Sequence, residues 1–372
     1  MIYLDYSATT FASDEVIDAF CDATKSYAGN PNSQHKLGVR NKRRIDDATV
    51  NISKILNVLP EEIIYTSGSS ESNNLAIKGI CASYKGKHII TTKMEHSSVV
   101  APINRLCKNG YEVDFVKLKS DGSIDIDNLK SLIRDDTVLV SVAGVDSELG
   151  IRQDINEIGK LLKEYPNCYF HVDATQMIGK TKFDFKDVDL ISFSAHKFFG
   201  IKGIGCLIKK KNIKLTPLID GGASTTKYRS GTPALELIVS LERALTLAYE
   251  DFDNKLKYIS SLNKDIKMFL EKYNDIKINN TDKSIDQIIN FSCNNSRKIL
   301  DLLDEKDVYI STKSACSSSN SLSTSILSLY NDEKRASNSL RISISYVTTK
   351  EEIEQFKKIF DECYRKANNI WK

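Results

Sequence analysis

Between about residues 13 and 210, short apolar runs alternate with stretches whose apolar residues recur at helical spacing. The runs predict strands at 62–66, 88–92, 113–118, 138–143, 168–172, 189–194 and 205–208. The first helix is expected to be capped by Ser13, with Asp14 and Glu15 in its first turn. It puts Ile17, Phe20, Cys21 and Thr24 on one face and ends at Gly29. Strands alternating with helices indicate an α/β domain around a mainly parallel sheet. Such sheets take ligands at the carboxyl ends of their strands, so chemistry is expected just after each strand.

The pattern changes near residue 234, where a helical stretch with few breakers runs to about residue 273 and can link two domains. Strand-like runs follow at 285–293, 308–311 and 340–345, and Thr349-Lys350-Glu351-Glu352 opens a last helix as a capping box. This region reads as a smaller α+β domain. The division expected is 13–249 for the large domain, and 1–12 with 250–372 for the small one. Residues 314–325 hold seven serines in twelve positions, a composition that suits a mobile loop better than a core element.

At 372 residues and 41% hydrophobic composition, the chain can bury two cores. Its net charge of +3, from 52 basic and 49 acidic residues, argues against nucleic acid as a main partner. Eight cysteines without a Cys-x-x-Cys pair read as single thiols in a reducing cytosol; neither a disulfide framework nor a metal site is expected. No leader pattern and no run near the roughly 18 apolar residues of a membrane span appears, which predicts a soluble, cytoplasmic protein.

Four segments carry candidate chemistry. Tyr65 to Asn74 is a strand, a hydroxyl-rich turn at Ser67-Gly68-Ser69-Ser70 and a helix start, an arrangement that suits a phosphate but also ordinary capping. In Phe170-His171-Val172-Asp173, a carboxylate ends an apolar strand, where a pyridinium nitrogen is a fitting partner and capping of the next turn is the alternative. In Ser192-Phe193-Ser194-Ala195-His196-Lys197, a strand runs into a lysine flanked by aromatics, a setting that favours Schiff-base chemistry over a solvated role. The glycines at 200, 203 and 205 lack the strand-turn-helix context of a dinucleotide site. In Ser314-Ala315-Cys316, a thiol lies among small polar residues, where access favours reactivity.

Taken together, these segments resemble the cysteine desulfurases of the NifS/IscS type, within the class V aminotransferase-like group of fold-type I pyridoxal-phosphate enzymes. The resemblance runs nearly end to end. It includes Gly29-Asn30-Pro31-Asn32-Ser33-Gln34-His35, Glu95-His96-Ser97-Ser98, Glu148-Leu149-Gly150, Arg229-Ser230-Gly231-Thr232 and Leu340-Arg341-Ile342-Ser343. It implies the fold-type I architecture, with a mainly parallel seven-stranded sheet flanked by helices.

The resemblance also implies roles. Lys197 holds pyridoxal 5'-phosphate through its amine, Asp173 pairs with the ring nitrogen, Gln176 bonds the ring oxygen, and His96 stacks on the ring. Ser69, Ser70, Ser194 and His196 hold the phosphate, joined by Thr232 of the second subunit of a homodimer. Arg341 clamps the carboxylate of L-cysteine, and Cys316 takes up the sulfur for delivery to an acceptor or iron–sulfur scaffold protein. The 25 positions between Cys316 and Arg341 match the long-loop subgroup. Where the family has Asn-Asn-Glu, this chain has Asp146-Ser147-Glu148, and Tyr6-Ser7 replaces Asn-Ala. Ser147 is shorter than the asparagine that contacts the ring oxygen, and Asp146 adds a negative charge beside the substrate if it faces inward. The competing readings are a selenocysteine lyase or related β-lyase, a weakly active cofactor-binding sulfur-relay partner, and a transaminase.

Overall fold

The computed structural model describes residues 1–312 and 322–370. Cys316 and most of the serine-rich stretch lie outside the described residues. The chain opens with β1 (Ile2–Tyr3), α1 (Asp14–Ser26) and α2 (Lys36–Leu56). Then come β2 (Ile63–Thr66), α3 (Ser69–Ser83), β3 (His88–Thr91), α4 (Ser97–Cys107), β4 (Glu112–Phe115) and α5 (Ile126–Leu132). They are followed by β5 (Thr137–Ala143), α6 (Ile155–Leu162), β6 (Tyr169–Asp173), β7 (Leu190–Ser194) and β8 (Gly205–Lys209). Helices α7 (Leu235–Tyr249) and α8 (Phe252–Leu270) lead to β9 (Lys277–Ile278), β10 (Ile288–Ser292), α9 (Ser296–Asp304) and β11 (Val308–Tyr309). The last elements are α10 (Thr324–Tyr330), α11 (Glu333–Ser337), β12 (Ser339–Ser343) and α12 (Lys350–Ala367).

β2 to β8 form one sheet in the order β2-β8-β7-β6-β5-β3-β4. β8 is antiparallel to both neighbours, and the other strands share one direction. All seven predicted strands are present with small shifts at their ends. β7 and β8, Leu190–Ser194 and Gly205–Lys209, are buried along their whole length, as expected of a sheet covered on both faces. A second sheet, β12-β10-β9, is antiparallel, and β1 pairs with β11.

One apolar core packs around the large sheet and includes Leu241, Leu245 and Ala248 of α7. A second holds Ile2, Leu4, Phe356 and Phe360 together with Ile259 and Ile266 of α8. The change of core falls where the single long helix expected from the sequence is in fact broken. Asp251 takes a left-handed conformation (φ 49°), which aspartate tolerates better than most residues, and Lys255 Nζ caps the Leu247 carbonyl at 2.6 Å.

Two further expectations are corrected. α1 stops at Ser26, before Gly29, and Ser13 stands at its N-cap without a side-chain bond. It buries Val16 and Ala23 against α7 and leaves Ile17 exposed, so packing selects a neighbouring face to the one expected. The end of the serine-rich stretch is not loop: Ser323 caps α10 through the Ile326 N–H, and both Ser323 and Ser325 are buried. The capping box at Thr349 and Glu352 forms as predicted, with bonds of 3.1 and 2.8 Å.

Candidate active site

The co-directional strands bring their carboxyl ends to one edge of the sheet, and a cavity of about 160 Å³ opens there. Asp173 and Gln176 enter from the end of β6, His196 and Lys197 from the turn after β7, and His96 from the segment after β3. Ser147 lies beyond β5, and Ser69 and Ser70 form the first turn of α3. Arg341 of β12 and Ser7 of the amino-terminal segment close the opposite wall.

The turn after β7 is a single 3₁₀ turn, Ala195–Lys197, fastened by the Ala195 N–H to the Ile204 carbonyl at 3.1 Å. It directs Lys197 Nζ to the carbonyls of Ser7 and Ala8, both at 2.8 Å. Asp173 is 5% exposed, and Asn73 Nδ2 donates to its Oδ2 at 2.8 Å. The same nitrogen donates to Ser98 Oγ at 2.8 Å, and that hydroxyl lies 2.8 Å from His96 Nδ1. The Ser98 N–H also points at His96 Nδ1, at 3.2 Å. His96 Nδ1 is therefore the acceptor, and a neutral ring carries its proton on Nε2. Burial keeps the ring neutral by lowering its pKa; Asp173 opposes this shift and Lys197 adds to it. His196 is pushed down to about 4 by burial, with Lys197 contributing.

At the head of α3 the N-cap is Gly68, which offers no side chain to cap the helix. The first-turn N–H groups and the hydroxyls of Ser69 and Ser70 thus border a space suited to an anion. This turn needs glycine at position 205: a Cβ there lies 2.5 Å from the Phe193 carbonyl and 2.7 Å from Gly68 Cα. Ser194 is buried beside this turn but does not line the cavity.

Arg341 is 1% exposed. Its Nη1 donates to the Ser147 carbonyl and its Nη2 to Asp5 Oδ1, each at 2.8 Å, while Nε is buried with no partner among the described residues. Asp146 does not face the cavity. Its carboxylate accepts from the Glu148 and Leu149 N–H groups and from Ser325 Oγ at 2.9 Å, and burial beside Glu148 raises its pKa to about 7. The acid therefore fastens α10 to the wall that carries Ser147, and the charge feared beside the substrate points away.

The structure thus gathers Lys197, Asp173, Gln176, His96, His196, Ser69, Ser70, Ser147 and Arg341 around one cavity. Thr232 is exposed and does not line it, and Cys316 lies outside the described residues. Sequence reasoning gave no role to Asn73, Ser98, Asp5 or Lys180. Asn73 and Ser98 lay within recognised segments, and their positions, one turn into α3 and in the first turn of α4, were the available signal.

A lysine, a buried carboxylate and a helix start suited to an anion, together at the carboxyl edge of a doubly covered α/β sheet, define a fold-type I enzyme site. The chain belongs to the aminotransferase class-V family, whose profile matches residues 2–356. It is 37% identical to a cysteine desulfurase IscS of Dictyoglomus turgidum over 378 aligned positions, 99% of this chain and 96% of that protein. Among solved structures it is similar to a NifS-like protein, with TM-score 0.92 and 30% identity over 98% of this chain and 99% of the other. It is also similar to SspA in complex with cysteine, with TM-score 0.83 and 30% identity over 94% of this chain and 100% of the other. Enzymes of this family depend on pyridoxal 5'-phosphate.

Proposed function

We propose that this chain is a cysteine desulfurase: L-cysteine and the Cys316 thiol give L-alanine and a persulfide on Cys316. The observation that carries the reading is the shared cavity of Lys197, Asp173 and Arg341, with one buried arginine N–H still to be satisfied. Relatives named cysteine desulfurase, and a related structure with cysteine bound, support the same reading.

The residues present fit pyridoxal 5'-phosphate. Asp173 offers a carboxylate to the ring nitrogen, Lys197 an amine to the aldehyde, Gln176 an amide to the ring oxygen, and His96 its ring to the cofactor face. Ser69, Ser70 and His196 border the cavity with donors for the phosphate, and Ser194, buried beside the Gly68 turn, is read as joining them only once the group is bound. Ser7 Oγ, buried without a partner among the described residues and bordering the cavity, is a further polar atom awaiting a bound group. When bound, the cofactor supplies an aldehyde for amines and a ring that draws electrons from the substrate α-carbon.

The protein's own part follows from its geometry. Arg341 binds the substrate carboxylate with its planar fork, in competition with Asp5 and the Ser147 carbonyl. Lys197 Nζ takes the α-proton, and His96 holds a proton on Nε2 for return to the product. The thiol of Cys316 forms the new S–S bond as the substrate C–S bond breaks. The described ends of its segment support access to the cavity: the Ser311 N–H bonds the Arg341 carbonyl at 3.0 Å, and Ser323 bonds Glu148 beside Ser147. Cys316 is four residues from Thr312, a reach of at most about 14 Å.

We also read the chain as two domains, 13–249 and 1–12 with 250–372, a division supported by the change of core between α7 and α8. No helix among the described residues is long and apolar enough to cross a membrane. The reading includes a cytoplasmic homodimer, in which exposed Thr232 reaches the phosphate of the other subunit, and an acceptor such as an iron–sulfur scaffold protein.

The test is incubation with L-cysteine followed by mass analysis of the peptide containing Cys316. The expected result is a gain of one sulfur on that peptide and release of alanine, both lost on borohydride pretreatment. Alanine formed at the same rate by Cys316→Ser removes the persulfide step.

A further inference from the structure

Gln176 borders the cavity with its side-chain amide held at both ends. Its Nε2 donates to the Ser7 carbonyl at 2.8 Å, and its Oε1 accepts from the Lys180 amine. The Ser7 carbonyl also accepts from Lys197 Nζ at 2.8 Å, so one line of hydrogen bonds joins the two lysines. A carbonyl can only accept, so the amide cannot turn over without losing the Ser7 bond. The second hydrogen of Nε2 is then the donor that Gln176 has left for a group in the cavity.

Lys180 is an unusual anchor. It borders an open cleft of about 750 Å³ that also holds Arg152 and Lys283, yet its amine turns inward to Gln176. Its side chain is buried, and no carboxylate pairs with it among the described residues. Burial holds the amine well below the usual lysine range, with Lys197 and Arg341 acting the same way. A neutral amine still donates to Oε1, so the link to Gln176 survives either charge state.

The geometry points to Lys180 as a positioning residue: by holding Gln176 Oε1 it aims Nε2 at the cavity, and so at the ring oxygen of the bound cofactor. This rests on the reading that the cavity takes pyridoxal phosphate. A donor on that oxygen stabilises its ionised form and lowers the pH at which the bound cofactor's absorbance titrates. Losing the donor raises that midpoint.

The experiment compares the full-length holoenzyme with Lys180→Met, which keeps the stem and removes the donor, and with Lys180→Gln, which restores a terminal donor. Lys180→Met is expected to weaken cofactor binding about tenfold and to raise the absorbance midpoint by about one pH unit, as for one lost hydrogen bond. Lys180→Gln is expected to return both values toward those of the unaltered chain. Combining Lys180→Met with Gln176→Ala should add nothing to Gln176→Ala alone. Unmoved values in Lys180→Met, equal shifts in both lysine variants, or additive effects with Gln176→Ala each overturn the assignment. Should Lys180→Met fail to fold, Gln176→Ala is compared with Gln176→Ala/Lys180→Gln; the assignment requires that they match. An unaltered chain that takes up no cofactor overturns the functional reading and this inference together. Normal uptake with Lys180→Met unmoved overturns the inference alone.

Discussion

On the large-sheet side of the cavity, each polar group follows a strand or opens a helix, whereas the facing wall is assembled from distant pieces. Asp173, Lys197 and His96 stand where the topology of one sheet delivers them. Arg341 sits within a strand of another sheet and is held by Asp5, 336 positions away, and by the Ser147 carbonyl, 194 positions away. The comparison teaches that the groups after the strands rest on local chain geometry, while the arginine proposed to bind the substrate carboxylate rests on long-range bonds. The second side is accordingly the one that a single change should disturb most selectively.

Arg341→Ala tests this most severely. It removes the fork, leaves Asp5 without its cation, and should raise KM for L-cysteine about a hundredfold, a loss of roughly 3 kcal/mol. Arg341→Lys keeps the charge without the fork and should cost about tenfold. Steady-state kinetics decide, and an unchanged KM removes Arg341 from substrate binding.

On the sheet side, Asn73→Ala breaks the Asp173–Asn73–Ser98 line. The buried carboxylate loses a donor, so stability should fall by about 2 kcal/mol and kcat by about tenfold. Denaturant unfolding and turnover measure the two effects. A fall in stability with intact kcat makes the line purely structural.

The sheet side should also be the more acid-sensitive. His171 is wholly buried between Ser141 and Ser192, and burial lowers its pKa from 6.5 to about 4. The unfolded chain binds that proton more readily, so the contribution is complete above pH 6.5 and is lost as pH falls toward about 4. Unfolding free energy measured across this window should decline, and His171→Gln should flatten the decline.

The smallest effect belongs to Asp146→Asn. Because the folded pKa is raised from 3.8 to about 7, the aspartate loses stability as pH rises through that interval. An asparagine can accept from the Leu149 N–H and donate to Ser325 Oγ. It should stabilise the fold by about 1 kcal/mol above pH 7 without changing KM. A changed KM would place residue 146 in contact with substrate.

The same contrast governs what was legible from residues alone. Asp173, Lys197, Ser69 and Ser70 were readable because an apolar run ends beside them and a parallel sheet assigns meaning to that position. The break at Asp251 was not, since an aspartate within a helical pattern carries no mark of a left-handed conformation. Ser323 and Ser325 were misread as loop because composition cannot reveal that Glu148 and Asp146 await them. Lys180 carries no signal in the sequence pattern, and only the fold shows that its amine meets Gln176.

The most direct measurement is borohydride reduction of the cofactor-loaded protein, followed by peptide mass mapping. The account predicts one reduced pyridoxyl group per chain, on Lys197. The same mass on Lys180 or any other amine, or on none, contradicts it.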